Sequence, residues 1–276
     1  MNAIPPSPVK LKMIRRFTGH FKSDPEKVKG LRADHPAVLE GRTLFTSRIT
    51  AAEDAPRLLI SGMNSRKIGD RVIKGRWRGM PIFTLTLEER ATCPSYCENW
   101  RTCYGNNMQW ARRHRHGPEL ESRLYGELRQ LADKHPGGFV VRLHILGDFY
   151  SPEYVRRWQH WFKLFPQIHV FGYTAWDPDS AIGAEICHLN REYAGRCVIR
   201  FSEIWRPDDK PRPWKLKAHT INRTVDTNHV LEGMICPVQT GKTDACGSCA
   251  LCWSTNKSIV FMLHGNAHTG RKPKNG

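Results

Sequence analysis

Seven of the nine cysteines fall into two groups whose spacing suits metal ligation. Cys93, Cys97 and Cys103 follow C-x3-C-x5-C in "CPSYCENWRTC"; Cys236, Cys246, Cys249 and Cys252 follow C-x9-C-x2-C-x2-C in "CPVQTGKTDACGSCALC". Two-residue gaps let successive thiolates wrap one centre, and Gly247 permits a tight backbone turn there. Four thiolates satisfy tetrahedral zinc or provide one ligand for each iron of a [4Fe–4S] cluster, so the second group reads as a cluster or a zinc site. The first group is one ligand short. Its three thiolates suit a cubane with one iron left open, or a zinc ion completed by a distant Cys187, Cys197 or His114. A cluster completed in that way, or three unrelated buried cysteines, are the other readings. Cys187 on a helix face and Cys197 at a strand start read as ordinary core residues. The "GKT" at 241–243 is no phosphate loop, because the position five before Gly241 is Cys236 rather than glycine.

Size and charge bound what these groups serve. A chain of 276 residues buries a core without disulfides, and an odd number of cysteines does not close into pairs. No apolar run approaches a membrane span, and "MNAIPPSPVKLK" lacks the apolar stretch of a signal peptide. A cytoplasmic location in a bacterial host cell, with thiols reduced and no membrane partner, is the expectation. The net charge is +17, and the first 80 residues hold 17 Lys/Arg against 7 Asp/Glu. Such an excess suits nucleic acid or another polyanion, through counterion release from phosphates.

The positioning elements follow from periodicity. Residues 1–55 form a basic, partly irregular N-terminal arm. Residues 56–230 alternate strands and helices, and residues 231–276 form a cysteine-rich metal-binding segment. "GMPIFTLTLEE" reads as a strand. Leu120, Leu124, Leu128 and Leu131 mark a helix, and "GFVVRLHILGDF" is a mostly apolar strand. Ser151 caps a helix whose stripe is Tyr154, Trp158, Trp161 and Phe165, with Pro152 in its first turn. "IHVFGYT", a helix stopped by Gly195, and "RCVIRFSE" complete the series. This order predicts an α/β fold with a parallel sheet, a partial or complete parallel α/β barrel or a doubly wound sheet. Strands end in Glu88-Glu89, Gly147-Asp148, Tyr173-Thr174 and Ser202-Glu203, and carboxyl ends form the functional face of such folds. Arg142 with His144, His169 with Tyr173, and Arg200 with Ser202 each share a strand face by alternation.

The cysteine loop ending in Cys103-Tyr104, then "RLHILGDFYSPEYVRRW" with Gly147-Asp148, then "FGYT", resembles radical-SAM-like barrel proteins of phages and prophages, in particular the gene product 88 family. The resemblance covers residues 60–265. It implies that Cys93, Cys97 and Cys103 hold a [4Fe–4S] cluster with an open iron for S-adenosylmethionine (SAM), which is cleaved to a 5′-deoxyadenosyl radical. Gly147 and Asp148 would meet the SAM amino group. Tyr173, Thr174, Ser202 and Glu203 would line the pocket mouth, with Asp148, Tyr173 and Glu203 as catalytic candidates. The last gap of the cysteine motif is wider than the C-x3-C-x2-C of most radical SAM enzymes, with Thr102 before Cys103 and Tyr104 after it. A non-catalytic, metal-stabilised protein that binds nucleic acid through the N-terminal arm and "WARRHRHG" (110–117) is the competing expectation.

Overall fold

The computed structural model describes residues 30–204, 216–221 and 233–262. Ten strands appear among them: β1 (Ile49–Thr50), β2 (Ile60–Ser61), β3 (Ile82–Thr84), β4 (Arg113–His114), β5 (Phe139–Leu143), β6 (Ile168–Thr174), β7 (Cys197–Ile204), β8 (Lys217–Ile221), β9 (Gly233–Ile235) and β10 (Ser258–Met262). Eight of them form one sheet in the order β2-β3-β5-β6-β7-β8-β10-β9. Every pair is parallel except the antiparallel edge β2–β3. Among the described residues β2 and β9 stand at opposite edges, each hydrogen-bonded to one neighbour, so the sheet is open rather than closed into a barrel. The short strands β1 and β4 pair in parallel as a separate ribbon.

Helices α2 (Pro118–Lys134), α3 (Pro152–Leu164) and α4 (Ala181–Glu192) are the crossovers. In α2, Pro118 opens the helix, Glu119 and Glu121 sit in its first turn and Lys134 in its last, complementing the helix dipole. Ser151 Oγ accepts from the Tyr154 amide at 3.1 Å and starts α3 as expected. Gly195 is not a left-handed stop: α4 ends at Glu192, and the Gly195 carbonyl instead accepts the Trp77 indole N–H at 3.1 Å.

Both faces of the sheet are buried, which explains the near-continuous apolar runs in β5 and β6. Phe139, Val141, Leu143, Val170, Ile199 and Phe201 meet the helices. Val140, Phe171 and Val198 point the other way, into a second cluster with Ile82, Trp77 and Trp253. The cysteine-rich segment supplies Trp253, so it covers the sheet face opposite the helices. Its flanking strands β9 and β10 continue the same sheet, so the boundary expected at 231 does not divide the sheet. Helix α1 (Pro36–Leu39) and its neighbours lie against the first cysteine loop: the Trp100 indole donates to the Val38 carbonyl at 3.1 Å and the Leu31 amide to the Arg101 carbonyl at 2.9 Å. The part of the expected N-terminal arm before residue 30 lies outside the described residues, as do 263–276.

The helix-side core hinges on α3. Trp158 is fully buried, edge-on to Trp161 (4.9 Å, 78°) and Tyr154 (6.3 Å, 81°). Trp158→Ala should lower the unfolding free energy by about 3–5 kcal/mol, read from the denaturant midpoint. An unchanged midpoint would contradict this packing.

Candidate functional site

The first cysteine loop begins where β3 gives out. The Leu85 amide donates to the Arg142 carbonyl and the Leu87 amide to the Leu146 carbonyl, so the segment runs beside β5 before turning away. The turn is made at Arg90, whose φ is +66°. Two buried guanidinium groups then hold the loop from within. Arg113 grips Glu89 with two hydrogen bonds (2.7 and 2.9 Å) and also donates to the carbonyls of Gly105, Met108 and Ala111. Neither partner of that pair touches water, and Thr43 Oγ1 donates to the same carboxylate at 2.7 Å. Arg90 donates to the carbonyls of Trp100 and Arg42 and to Asn106 Oδ1. Buried cations with this many acceptors fix a loop of otherwise irregular backbone.

The loop crosses the carboxyl ends of the parallel strands. Glu98 accepts the Ile204 amide at the end of β7 (2.6 Å). Tyr96 accepts the Asp177 amide just beyond β6 (3.1 Å) and stands edge-on to Trp176. Cys93, Cys97 and Cys103 are half-buried within it. Burial, then Asp148, Cys103 and Cys97 push the Cys93 thiol well above its usual value; burial and Cys103 take Cys97 up to about 12. The Cys103 thiol is raised by burial and Glu89, while Arg90 and Arg113 pull it back. The three thiols are therefore electrostatic neighbours, with Asp148 beside them.

Gly147 and Asp148 lock this loop to β5. Gly147 has φ +76°, and a Cβ there would lie 2.6 Å from Thr92 Oγ1 and 2.7 Å from Leu87 Cβ. It is where the two backbones meet. Thr92 Oγ1 accepts the Asp148 amide (3.0 Å) and donates to the Glu88 carbonyl (2.8 Å). The Asp148 carboxylate accepts the Phe149 and Ala175 amides (2.8 and 2.7 Å), joining the ends of β5 and β6. Burial raises its pKa to about 7 against the pull of those amides, Thr174 and Arg142.

The second group lies on the sheet face opposite the helices. Cys246 and Cys249 occupy one turn of α5 (Cys246–Cys249), and Cys252 lies in α6 (Leu251–Ser254) after a left-handed Ala250. Cys236 follows β9, its amide donating to the Val260 carbonyl in β10. Cys246 is raised by burial and then by Cys252, Cys236 and Cys249, so all four thiols are electrostatic neighbours. Gly247 has ordinary φ and serves another purpose than the expected tight turn: a Cβ there would come within 2.2 Å of the Arg71 carbonyl oxygen. Trp253 stacks on Trp77 (5.3 Å, 10°), and Arg200 donates to the carbonyls of Cys252, Thr255, Lys257 and Lys217. The Trp253 indole N–H is buried with no hydrogen-bond partner among the described residues.

The remaining sequence candidates divide between these places. Tyr173 belongs to the second group, its hydroxyl donating to Cys252 Sγ at 2.7 Å. Thr174 is buried, bonded to the Trp176 amide and to Asp148. Ser202 shares the cysteine-side face of β7 with Arg200, whereas Glu203 follows Phe201 on the helix side, so those two do not line one pocket mouth. Glu88 and Glu89 are engaged by Thr43 and Arg113 rather than forming an open acidic rim. His144 does not share a face with Arg142, because β5 ends at Leu143 and His144 bonds the Tyr154 hydroxyl of α3. His114, Cys187 and Cys197 do not join the first group: burial lowers His114 to about 4 with Arg112 and Arg123 as its charged neighbours, and the two cysteines pack with the helix-side core.

Sequence reasoning missed Arg113, hidden in a basic run, and Thr92. It placed Arg142 with His144 on one strand face, where polar side chains could line a cavity beneath the cysteine loop, and not between the two cysteine groups. The Arg142 guanidinium lies 4.7 Å from the Tyr173 ring centroid and acts electrostatically on both Asp148 and Cys246, between the two groups.

Among the described residues no three His, Cys, Asp or Glu side chains converge on a single-ion position. Thiolates on one zinc ion stand about 3.8 Å apart, whereas ligands on separate corners of a cubane stand farther apart. The donor chemistry of both groups fits a thiolate-ligated centre. Arg90 and Arg113 favour the ionised form of Cys103, Arg142 that of Cys246, and Arg200 that of Cys252.

An open, predominantly parallel sheet, buried on both faces and crossed at its strand ends by a cysteine loop, defines an α/β protein. Within that class the chain belongs to the gene product 88 family, whose family model matches residues 59–255. It is 24% identical over 157 residues to the Gene 88 protein of Mycobacterium phage D29, covering 51% of this chain and 62% of that protein's length. No solved structure matches the chain.

The Glu89–Arg113 pair gives a direct test. Arg113→Met leaves a buried carboxylate unpaired and should destabilise the protein by about 3–5 kcal/mol. Adding Glu89→Gln should restore part of that loss. Equal stability of the single and double variants in thermal unfolding would contradict the clamp.

Proposed function

We propose that this protein is an iron–sulfur protein of radical-SAM-like type. In this reading Cys93, Cys97 and Cys103 hold a [4Fe–4S] cluster with one iron open to SAM, and the C-terminal four cysteines hold a second cluster or zinc. The observation that carries it is the cysteine loop lying across the carboxyl ends of β5, β6 and β7, with Asp148 beside Cys93. A reduced cluster would supply the single electron that cleaves the SAM sulfonium bond. Asp148, already accepting two amides, has lone pairs left to orient an amine. Gly147 brings the loop onto β5. Arg142 contributes positive charge between the two centres, and Tyr173 donates to the sulfur of Cys252. Thr174 and Ser202 stand near the ends of β6 and β7, and Glu203 follows on the helix side of β7. The action on nucleic acid or a nucleotide belongs to this reading.

Anaerobically purified protein should be brown, contain iron and sulfide, and give an electron paramagnetic resonance signal that changes on adding SAM. With reductant and SAM it should release 5′-deoxyadenosine, and Cys93→Ala should abolish both the signal change and the release. A colourless preparation containing only zinc would reject the reading.

Thiol protonation adds a pH prediction. Burial raises Cys97 to about 12 and Cys252 to about 11, so the metal-free thiols are protonated near neutrality and loading displaces their protons. Metal retention against a chelator should therefore strengthen from pH 6 to pH 9. The metal-free fold should show the opposite trend, losing stability above about pH 8.5 where the unfolded thiols ionise first. Chelator extraction independent of pH would argue against thiolate ligation.

A further inference from the structure

We infer that the β1–β4 ribbon is a docking platform for single-stranded nucleic acid, with Trp110 as its stacking residue. Trp110 is 76% exposed and contributes nothing to either core. The Arg48 guanidinium lies 4.9 Å from its ring centroid, which orients the indole while leaving most of its area open. The ribbon brings these residues together. Ile49 pairs with Arg113 and Thr50 with His114, so Arg48 and Arg112 directly precede the paired residues, and the Arg115 amide donates to the Thr50 carbonyl at 3.0 Å. Arg48, Arg112 and Arg115 are all exposed. Residues 41–52 and 99–118 contain no Asp or Glu, so no neighbouring carboxylate in either stretch neutralises them.

An exposed indole with Arg48 over its ring, on a ribbon that also exposes Arg112 and Arg115, matches an unpaired base on a phosphodiester backbone: the ring stacks on the base and the guanidinium groups meet phosphates. A duplex keeps its bases stacked inside and offers the indole nothing comparable. The platform is also stiff. Arg113, between Arg112 and His114, is the buried residue that clamps Glu89, so a strand bound outside is tied to the element that orders Cys103. The inference names a ligand class for the proposed function and holds whether or not the cysteines carry iron, since none of its residues is a cysteine.

The test is fluorescence anisotropy of the full chain, purified anaerobically, with labelled 20-mer single-stranded DNA, single-stranded RNA and duplex DNA across a salt series. Trp110→Ala should weaken single-strand binding about tenfold, whereas Trp110→Phe should hold it within about threefold of the parent. Arg112→Ala with Arg115→Ala should reduce the salt slope by about 1.4, two phosphate contacts on a single strand. Tighter binding of the DNA or of the RNA strand identifies the source, and either supports the platform. The inference is overturned if single strands do not bind at low salt, or if the Trp110 and arginine variants bind them like the parent. Duplex binding that is equally tight and equally indifferent to Trp110 also overturns it. Melting temperatures of the variants check folding; should Trp110→Ala shift its own, Arg48→Ala and the double arginine variant decide the outcome by the same criteria. Failure here leaves the iron and SAM measurements untouched.

Discussion

A guanidinium shut away from water must place its five N–H donors on acceptors, and that requirement organises this molecule. Arg113 meets it with the Glu89 carboxylate and three loop carbonyls, and Arg90 with two carbonyls and Asn106. Arg200 does the same for the second cysteine segment, drawing on carbonyls at 217, 252, 255 and 257. The first segment has little helix or strand to hold it, and in the second the same kind of group adds to the packing of Trp253. The same charges then lie where buried sulfur needs them. A thiol in a dry setting resists ionisation, and a nearby fixed cation lowers that resistance without any rearrangement.

The sheet makes the placement possible. Its helix side is a conventional packed layer of Leu, Trp, Phe and Val side chains. Its other side is covered by a segment whose anchors are Trp253, Trp77 and the close approach of Gly247 to Arg71. Both cysteine groups thus refer to one rigid frame, the first from the carboxyl ends of the strands and the second from the face. Arg142 and Tyr173 stand between them on adjacent strands.

Much of the frame is legible in the chain. The leucine spacing of α2, the Ser151-Pro152 start of α3 and the apolar runs of β5, β6 and β7 follow from periodicity and capping. So does the departure of the first cysteine loop from the strand ends. The open sheet is not legible, because strand number and closure depend on pairings that leave no periodic trace. Strands β8 and β10, each as long as β5, lie on either side of the cysteine motif and outside the strand–helix alternation that marks β5, β6 and β7. At the site, the cysteines announce themselves by spacing, but the roles of the acids do not. Glu89 and Asp148 read alike as acids at a strand end. Only the fold shows that one answers a guanidinium and the other two amides. Arg113 is indistinguishable in sequence from Arg112 and Arg115, although it alone of the three is fully buried.

Strand β10 lies between β8 and β9, although it is synthesised after both. As the chain leaves the ribosome, β8 and β9 therefore wait without their common neighbour, and Cys236 waits for the Val260 carbonyl. Assembly of the second cysteine group is tied to the arrival of nearly the last described residues. A nascent chain stopped before residue 258 would present two unsealed strand edges and a thiol group with no wall behind it.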